Sequence, residues 1–236
     1  MSILIDLPAG FMDDKLLTEQ MRRLSVLIDQ SSPQAASAVV LPEHWFGFED
    51  ALVMQMNLLI AEMRVRGIAT LDWFKLPKST LLWPSRFAPS LEEQFAMLRE
   101  RERKGLCGRI KLPVQIHDLW ASFKYSVLAR NHKSYLHIGR LIAGRKIEFF
   151  DLLRDLVVIC RVPPKRGSMV NSVQHMWGYI AARSTLDPNQ AELADLLLEV
   201  QRITLETKEP YLYHSTALGE LVGWLSVVEG YASVSG

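Results

Sequence analysis

The sequence predicts an all-α protein, mainly a multi-helical bundle, and three observations support that fold class. Apolar residues recur at helical spacing wherever a period can be read. Several segments open with residue patterns that cap helices. Of the 236 residues, 49% are hydrophobic and 22% are charged, close to the globular average. A chain of this size can bury a large core without disulfides or a structural metal.

The first part of the chain predicts two helices followed by one irregular segment. Apolar residues between positions 16 and 26 predict an early amphipathic helix. Residues 48–66 predict a clearer helix, with acidic residues in its first turn and arginines near its end. Residues 70–89 predict an irregular segment held by aromatic packing, with weaker support for a strand pair. Their aromatic residues and prolines are Trp73, Phe74, Trp83 and Phe87, with Pro77, Pro84 and Pro89.

The remaining sequence predicts a linker between two helical regions. Ser90 and Glu93 form a capping-box pattern that opens a helix running to about residue 104. Residues 105–113 predict the linker, so we divide the chain into an N-terminal helical region of unknown role, 1–110, and a helical domain, 111–236. Asp187 and Pro188 form a further helix start. The helices predicted after the linker span 115–130, 134–143, 147–161, 168–183, 188–207 and 211–229.

The two cysteines, Cys107 and Cys160, exclude a disulfide framework and a four-cysteine metal site. Cys160 lies in an apolar run and predicts a core residue. The N-terminus lacks the pattern of a signal peptide, and the apolar windows are too short to cross a membrane. We therefore expect a cytoplasmic protein with reduced thiols, no membrane association, no metal and no cofactor.

The overall charge of +1 conceals a strong asymmetry. Residues 101–183 contain 16 basic and 5 acidic side chains, a net charge of +11, between flanks of −4 and −6. Such a segment indicates a polyanionic partner, and nucleic acid is our first choice. The alternative is that the basic segment packs against its own acidic flanks.

Three segments resemble the YbgA-like family (domain of unknown function 1722). They are LWASFKY at 119–125, YLHIGRLIA at 135–143 and PKRGSMVNSVQHMWGY at 164–179. The last resembles the family's Arg-Gly-x-x-x-Asn-x-x-Gln-His-x-x-Gly-Tyr pattern. The resemblance covers about residues 115–208, and nothing in 1–110 adds to it.

The resemblance implies an RNA-holding role and does not imply catalysis by this module. The family also occurs fused behind a cysteine-rich desulfidase domain that acts on thiolated uracil, where the appended module is thought to hold tRNA. This chain lacks the desulfidase's cysteine set. It also has Phe123 where the family usually has histidine, and Thr207-Lys208-Glu209-Pro210 where the family has an apolar stretch. The first departure weakens an acid–base or phosphate role there, and the second indicates an altered C-terminal docking surface.

The candidate binding residues lie in or beside the resembling segments. On a helix over 168–183, Val170, Val173, Trp177, Ile180 and Ala181 form an apolar face, and the polar residues gather opposite. That polar face can bind nucleic acid or pack on a neighbouring helix. Lys165 and Arg166, just before the helix, predict an anion site or solvated loop charges. The full candidate set is Lys124, Arg140, Lys165, Arg166, Asn171, Gln174, His175 and Tyr179.

Three function classes are consistent with these residues. The first is a non-catalytic RNA-binding protein, with tRNA as the favoured RNA, that uses a basic surface. The second is an enzyme of unknown reaction with a polar pocket around Asn171 and His175, completed by Arg166 and Lys124. The third is a protein-interaction or assembly module, in which the N-terminal region binds a protein partner or a second copy of the chain.

Overall fold

The computed structural model describes residues 3–30, 41–76 and 81–228, and every regular element within these ranges is helical. The all-α prediction is confirmed. Three single 3-10 turns, at Ala9–Phe11, Glu43–Trp45 and Ala181–Arg183, accompany the α-helices. The α-helices of the described residues are α1 (Asp14–Gln30), α2 (Glu49–Val65), α3 (Leu91–Arg103), α4 (Ile116–Leu128), α5 (His132–Ala143), α6 (Phe149–Cys160), α7 (Arg166–Trp177), α8 (Leu193–Thr207), α9 (Pro210–Tyr213) and α10 (Ala217–Val228).

Three predicted helices have different ends in the structure. The helix predicted over 168–183 is α7, which begins at Arg166 and ends at Trp177. The helix predicted from residue 188 begins at Leu193, because the Asp187 carboxylate accepts the Asn189 amide and closes a turn instead. The helix predicted over 211–229 is split into α9 and α10, because the Thr216 amide donates to the Ser122 carbonyl of α4. Glu229 lies outside the described residues.

The capping box predicted at Ser90 is present. The Ser90 hydroxyl accepts the Glu93 amide at 3.2 Å, and the Glu93 carboxylate accepts the Ser90 amide at 2.8 Å. Two amides of the first turn that have no partner within the helix are therefore satisfied by side chains. This cap sets the start of α3, which packs against α6.

Helix α4 lies at the centre of the molecule and separates two hydrophobic cores. Leu119, Phe123 and Val127 face the first core, which also contains the N-terminal segment, α1 to α3 and the inner sides of α5 and α6. Tyr125 and Leu128 face the second core, formed mainly by α7, α8 and α10. Helix α4 therefore buries residues on two sides, as expected of a helix that packs against several others.

The N-terminal segment, residues 3–13, is packed into the first core although it forms only one 3-10 turn. Its backbone groups are satisfied by glutamine side chains from three helices. Gln20 accepts from the Ile5 amide at 3.0 Å, Gln55 donates to the Ile5 carbonyl at 2.9 Å, and Gln94 accepts from the Asp6 amide at 2.7 Å. Phe11 of this segment packs its ring 5.9 Å from that of Phe123.

The aromatic and proline-rich segment is irregular in its described residues, 70–76 and 81–89, and no strand occurs there. Pro77 lies outside the described residues. Asn57 holds the Phe74 backbone with two hydrogen bonds, of 2.8 and 2.9 Å. The Arg161 guanidinium lies over the rings of Trp83 and Phe87, at 5.0 and 4.5 Å. Aromatic packing therefore holds this segment, as the sequence predicted.

Four arginines of the basic segment form buried or half-buried ion pairs with carboxylates of the acidic flanks. Arg101 pairs with Asp13 at 2.7 Å, Arg109 with Glu62 at 2.7 Å and Arg161 with Asp6 at 2.5 Å. Arg130 pairs with Glu220, and its guanidinium also donates to the carbonyls of Ser126, Cys160 and Val162. The packing of the basic segment against its own flanks, which the sequence left open, accounts for part of the charge asymmetry.

The most enclosed of these pairs joins five parts of the chain. Arg109 donates to both oxygens of Glu62, at 2.9 and 2.7 Å. The exposed fraction of the side chain is 2% for Arg109 and 3% for Glu62. Arg66 donates to the same carboxylate at 2.8 Å and to the Met12 carbonyl at 2.8 Å. Arg109 also donates to the carbonyls of Tyr213 and Ser215. The network therefore ties the N-terminal segment, α2, the linker, α9 and the turn before α10 together.

Glycines on α10 permit its close crossing with α2. A Cβ atom at Gly219 would lie 2.8 Å from Glu62 Oε2, and one at Gly223 would lie 3.2 Å from Leu58 Cδ2. Because Glu62 is held by two arginines, its carboxylate cannot move aside easily. The close approach therefore requires glycine at position 219.

Elements from both sides of residue 110 pack against each other. Helix α2 packs between α1 and α10, and the first core combines residues from positions 4–112 and 119–157. The domain boundary at 110/111 stays a prediction. The described residues on its two sides pack into the same first core. None of the described helices is both long and apolar enough to cross a lipid bilayer.

We predict that Glu62→Gln lowers the free energy of unfolding by about 3–5 kcal/mol, because it leaves Arg109 buried without its counter-charge. Urea unfolding followed by circular dichroism measures the change. The control is Glu206→Gln, which alters an exposed pair with Arg202 and should leave the unfolding midpoint unchanged. Equal midpoints for wild type and Glu62→Gln would contradict the importance assigned to this network.

The same carboxylate gives a pH prediction. Burial alone would raise the pKa of Glu62, but Arg109 and Arg66 outweigh it and hold the pKa below the usual 4.5. Ionised Glu62 therefore stabilises the fold above the unfolded-state pKa, and this contribution is lost as the pH falls through the lower folded-state pKa. We expect the stability difference between wild type and Glu62→Gln to shrink below about pH 4.5. If the free energies of unfolding of wild type and Glu62→Gln differed by the same amount down to pH 3, the lowered pKa assigned to Glu62 would be contradicted.

Candidate functional site

The eight candidate residues predicted from the sequence lie on α4, α5 and α7 and just after α7. Lys124 is half-buried on α4, and Arg140 is exposed on α5. Lys165 and Arg166 are exposed at the start of α7, and Arg166 lies 3.6 Å from Glu192. The remaining four are half-buried Asn171, exposed Gln174 and His175, and Tyr179, whose exposed fraction is 39%.

The polar face of α7 points towards solvent. Met169, Ser172, Val173, Met176 and Trp177 turn towards the second core. Gln174 and His175 are exposed on the other side, so these two do not pack on a neighbouring helix of the described chain. At its two ends, the apolar face predicted for this helix is less buried than expected. Val170 is half-buried, and Ala181 is exposed because α7 ends at Trp177.

A cluster of aromatic rings surrounds Lys124, and we call Lys124, Tyr125, Tyr179 and Tyr211 the tyrosine cluster. Lys124 Nζ lies 4.8 Å from the centre of the Tyr125 ring and 5.6 Å from that of Tyr211. The Tyr179 ring lies 6.4 Å from Tyr125 and 5.5 Å from Tyr211. Tyr125 is buried, whereas Tyr179 and Tyr211 have exposed fractions of 39% and 60%. The cluster therefore presents two aromatic rings and a cation to solvent.

The cluster combines residues from two of the three segments that resemble one family. Lys124 and Tyr125 end the first segment, and Tyr179 ends the third. Tyr135 of the second segment packs on Trp120 of the first, with ring centres 5.3 Å apart. Burial, followed by a hydrogen bond with the Tyr179 hydroxyl, raises the pKa of Tyr125 well above its usual value, so this phenol stays protonated. Residues far apart in sequence are thus assembled into one surface feature.

The candidate residues form two groups along α7. Arg166 and Trp177 are the ends of the helix, about 16 Å apart at 1.5 Å per residue. Lys165 and Arg166 therefore lie at one end, and His175 and Tyr179 lie at the other. No side chain caps the amides at the start of α7. A ligand that contacts both groups would have to be extended along the helix.

Glycines in the resembling segments are not required by the fold of the described residues. A Cβ atom added at Gly139 or Gly167 would meet nothing within 4 Å, and one at Gly178 would meet only the His175 carbonyl, at 3.5 Å. The glycines with positive φ are others, Gly47, Gly67 and Gly105. Glycine within a helix costs stability relative to alanine. These open positions therefore allow close approach of a partner from outside.

Phe123, where the family usually has histidine, is fully buried against Phe11. This position therefore lies inside the first core and away from the tyrosine cluster. Thr207-Lys208-Glu209-Pro210, which stands where the family has an apolar stretch, spans the turn between α8 and α9. Lys208 takes a left-handed conformation, with φ of 53°, and ends α8, while the Glu209 carboxylate caps α9 at the Leu212 amide. This turn holds Tyr211 at the surface.

Sequence reasoning missed Tyr211 and a groove beside it. The groove has a volume of about 330 Å³ and lies between residues 111–114, α4 and the α9 region. A second cavity, of about 50 Å³, lies between the N-terminal segment, α2, α6 and α10 and has room for a few waters only. The only sequence signal near the groove was the departure of residues 207–210 from the family's apolar stretch.

The four residues predicted for an enzyme pocket do not line either of these two cavities. They are Asn171, His175, Arg166 and Lys124. Among the described residues, no group of three or more histidines, cysteines, aspartates or glutamates could hold a metal ion. Cys160 packs against the first core, where burial raises the pKa of its thiol.

The basic segment keeps a positive excess after its four buried or half-buried pairs with the flanks are set aside. Without these four arginines, it contains twelve basic and five acidic side chains, a net charge of +7. Four of the twelve, Arg103, Lys104, Arg154 and Arg166, form exposed pairs with flank carboxylates at 3.2–3.8 Å. Most of the remaining cations are exposed, including Lys111, Lys133, Arg140, Lys146 and Lys165.

Comparison with known proteins agrees with the resemblance seen in the sequence. Residues 124–216 match the family described as "Protein of unknown function (DUF1722)". This range contains the second and third resembling segments and begins at Lys124 of the first. No curated protein and no solved structure matches the chain.

We predict that Gly139→Ala raises the free energy of unfolding by about 0.5–1 kcal/mol, because alanine is the better helix former and its Cβ has open space. Gly219→Ala is the matched variant and should lower it, because its Cβ would meet Glu62. Urea unfolding of both variants measures the two signs. If Gly139→Ala were destabilising, position 139 would be required by the fold.

Proposed function

We propose that this chain, whose residues 124–216 match the DUF1722 family, is a non-catalytic RNA-binding protein, with tRNA as the first RNA to test. The bound RNA contacts the tyrosine cluster and extends along the outer face of α7. A cytoplasmic location is part of the same proposal.

The observation that carries the proposal is the tyrosine cluster. Proteins that hold single-stranded nucleic acid combine exposed aromatic rings, on which bases stack, with cations that contact phosphates. Tyr179 and Tyr211 supply two neighbouring rings, and Lys124 lies within cation–π distance of one of them. An enzyme pocket would instead require a concave site with convergent polar groups.

The outer face of α7 supports an extended contact. Gln174 and His175 can hydrogen-bond base edges, and Gly167 and Gly178 leave room for close backbone approach. Lys165 and Arg166 can contact a phosphate at the far end. The residual charge of +7 in the basic segment attracts a polyanion over a longer range.

We predict that the wild-type chain retains total tRNA on filters at low salt and loses it steeply as salt rises, because bound cations release counterions from the RNA. Tyr179→Ala and Tyr211→Ala should each weaken binding roughly 5- to 100-fold, through loss of base stacking. Lys124→Ala should reduce the dependence of log affinity on log salt by about one.

Matched controls lie in the N-terminal region. Phe46→Ala removes an aromatic side chain that is 56% exposed, and Arg22→Ala removes an exposed cation of α1. Both should bind tRNA like wild type. Absence of retention at low salt, or equal losses in controls and cluster variants, would contradict the proposal. Co-purification of a stoichiometric protein that is lost in Tyr179→Ala would favour an interaction module instead.

A further inference from the structure

The groove beside the tyrosine cluster has the dimensions of a small-ligand site. Its volume of about 330 Å³ is near the lower limit of the range typical for such sites. Leu112, Val114, Ala121 and Pro210 make its lining mainly apolar. A groove of this size and character suits one planar ring system with its attached sugar better than a folded partner.

Tyr211 belongs to both the groove and the tyrosine cluster. It lines the groove, and its ring lies 5.5 Å from that of Tyr179. A strand whose bases stack on Tyr179 and Tyr211 therefore reaches the groove with its next base. The two features form one continuous surface.

His214 lines the groove and has one unsatisfied polar atom. Its Nδ1 is buried and has no hydrogen-bond partner among the described residues. Burial is the largest cause that lowers the pKa of His214 below its usual 6.5. A hydrogen bond with the Arg109 backbone opposes it, and the charges of Arg109 and Lys111 add to it, so the imidazole is mainly neutral at pH 7. Since the imidazole hydrogen-bonds the Arg109 backbone, Nδ1 is the nitrogen that is left to accept a hydrogen bond from a base. Exposed Lys111 and Asp118 line the same groove, and the cation of Lys111 can contact a phosphate.

The buried ion-pair network fixes the backbone on both sides of His214. Arg109 donates to the carbonyls of Tyr213 and Ser215, the residues on either side of His214. Glu62 in turn holds Arg109 through both carboxylate oxygens. The polar group of the groove is therefore preorganised by the protein interior.

We propose that this groove holds a single unstacked base of a bound RNA strand. The proposal rests on the proposed RNA-binding function and names the element that the groove recognises. The base enters between Tyr211 and the apolar wall and hydrogen-bonds His214, while the adjoining phosphate contacts Lys111.

The test uses short single-stranded RNA oligomers in which one position at a time lacks its base. The full chain is compared with Ala121→Phe, which fills the groove from an exposed helical position of α4. The matched control is Ala96→Phe, at an exposed position of α3 that does not line the groove. In wild type and the control, removal of the base at one position should weaken binding roughly 5- to 100-fold. In Ala121→Phe the intact oligomer should bind more weakly, and that position should lose its effect.

The outcomes separate the groove from RNA binding in general. If wild type binds RNA but no single position is sensitive, and Ala121→Phe binds like wild type, the groove inference is wrong and RNA binding stands. If wild type binds neither tRNA nor any oligomer, the proposed function fails, and the groove inference fails with it. If Ala121→Phe releases a co-purified peptide and leaves RNA binding unchanged, the groove serves a protein partner and the inference is overturned.

Discussion

The buried carboxylate of Glu62, held between Arg66 and Arg109, is the interaction on which the rest of the structure depends. A single buried charge is costly, so Glu62 is stable only while both arginines surround it. Those arginines in turn require acceptors, and they find them in the carbonyls of the N-terminal segment and of the turn before α10. Gly219 completes the arrangement by letting α10 approach the carboxylate. Elements distant in sequence are joined because each satisfies part of one charge.

This constraint changes how the charge of the chain should be interpreted. Arginines that look like a polyanion-binding surface in the sequence include Arg101, Arg109, Arg130 and Arg161, which bind internal carboxylates. The cations left for a partner are fewer and lie mainly on exposed parts of α4 to α7. The same network reaches the surface through the residues around His214, so that the interior positions one side of the groove. Stability and the candidate site are therefore physically linked.

Local patterns were sufficient to predict the helices, though not all of their ends, and the two faces of α7, because periodicity and capping act within a few residues. The capping box at Ser90 and the separation of Gln174 and His175 from the apolar side of α7 follow from such patterns. Whether that polar face is exposed or packs on a neighbouring helix could be decided only from the tertiary fold. The tyrosine cluster could be predicted only in part. Lys124 and Tyr179 belong to family motifs, but Tyr211 is brought to them by a left-handed turn at Lys208 and by packing that no local pattern encodes. The ion pairs between flanks, such as Asp6 with Arg161, join residues 155 positions apart and require the tertiary fold.

The central claim is that RNA binds at the tyrosine cluster and the outer face of α7. Ultraviolet crosslinking of the purified full chain to cellular RNA, followed by mass spectrometric mapping of the crosslinked peptides, tests it most directly. We expect crosslinks in the peptides that contain Tyr179 and Tyr211, which present the exposed rings. Crosslinks confined to α1 and α2, or no crosslinked peptide at all, would contradict it.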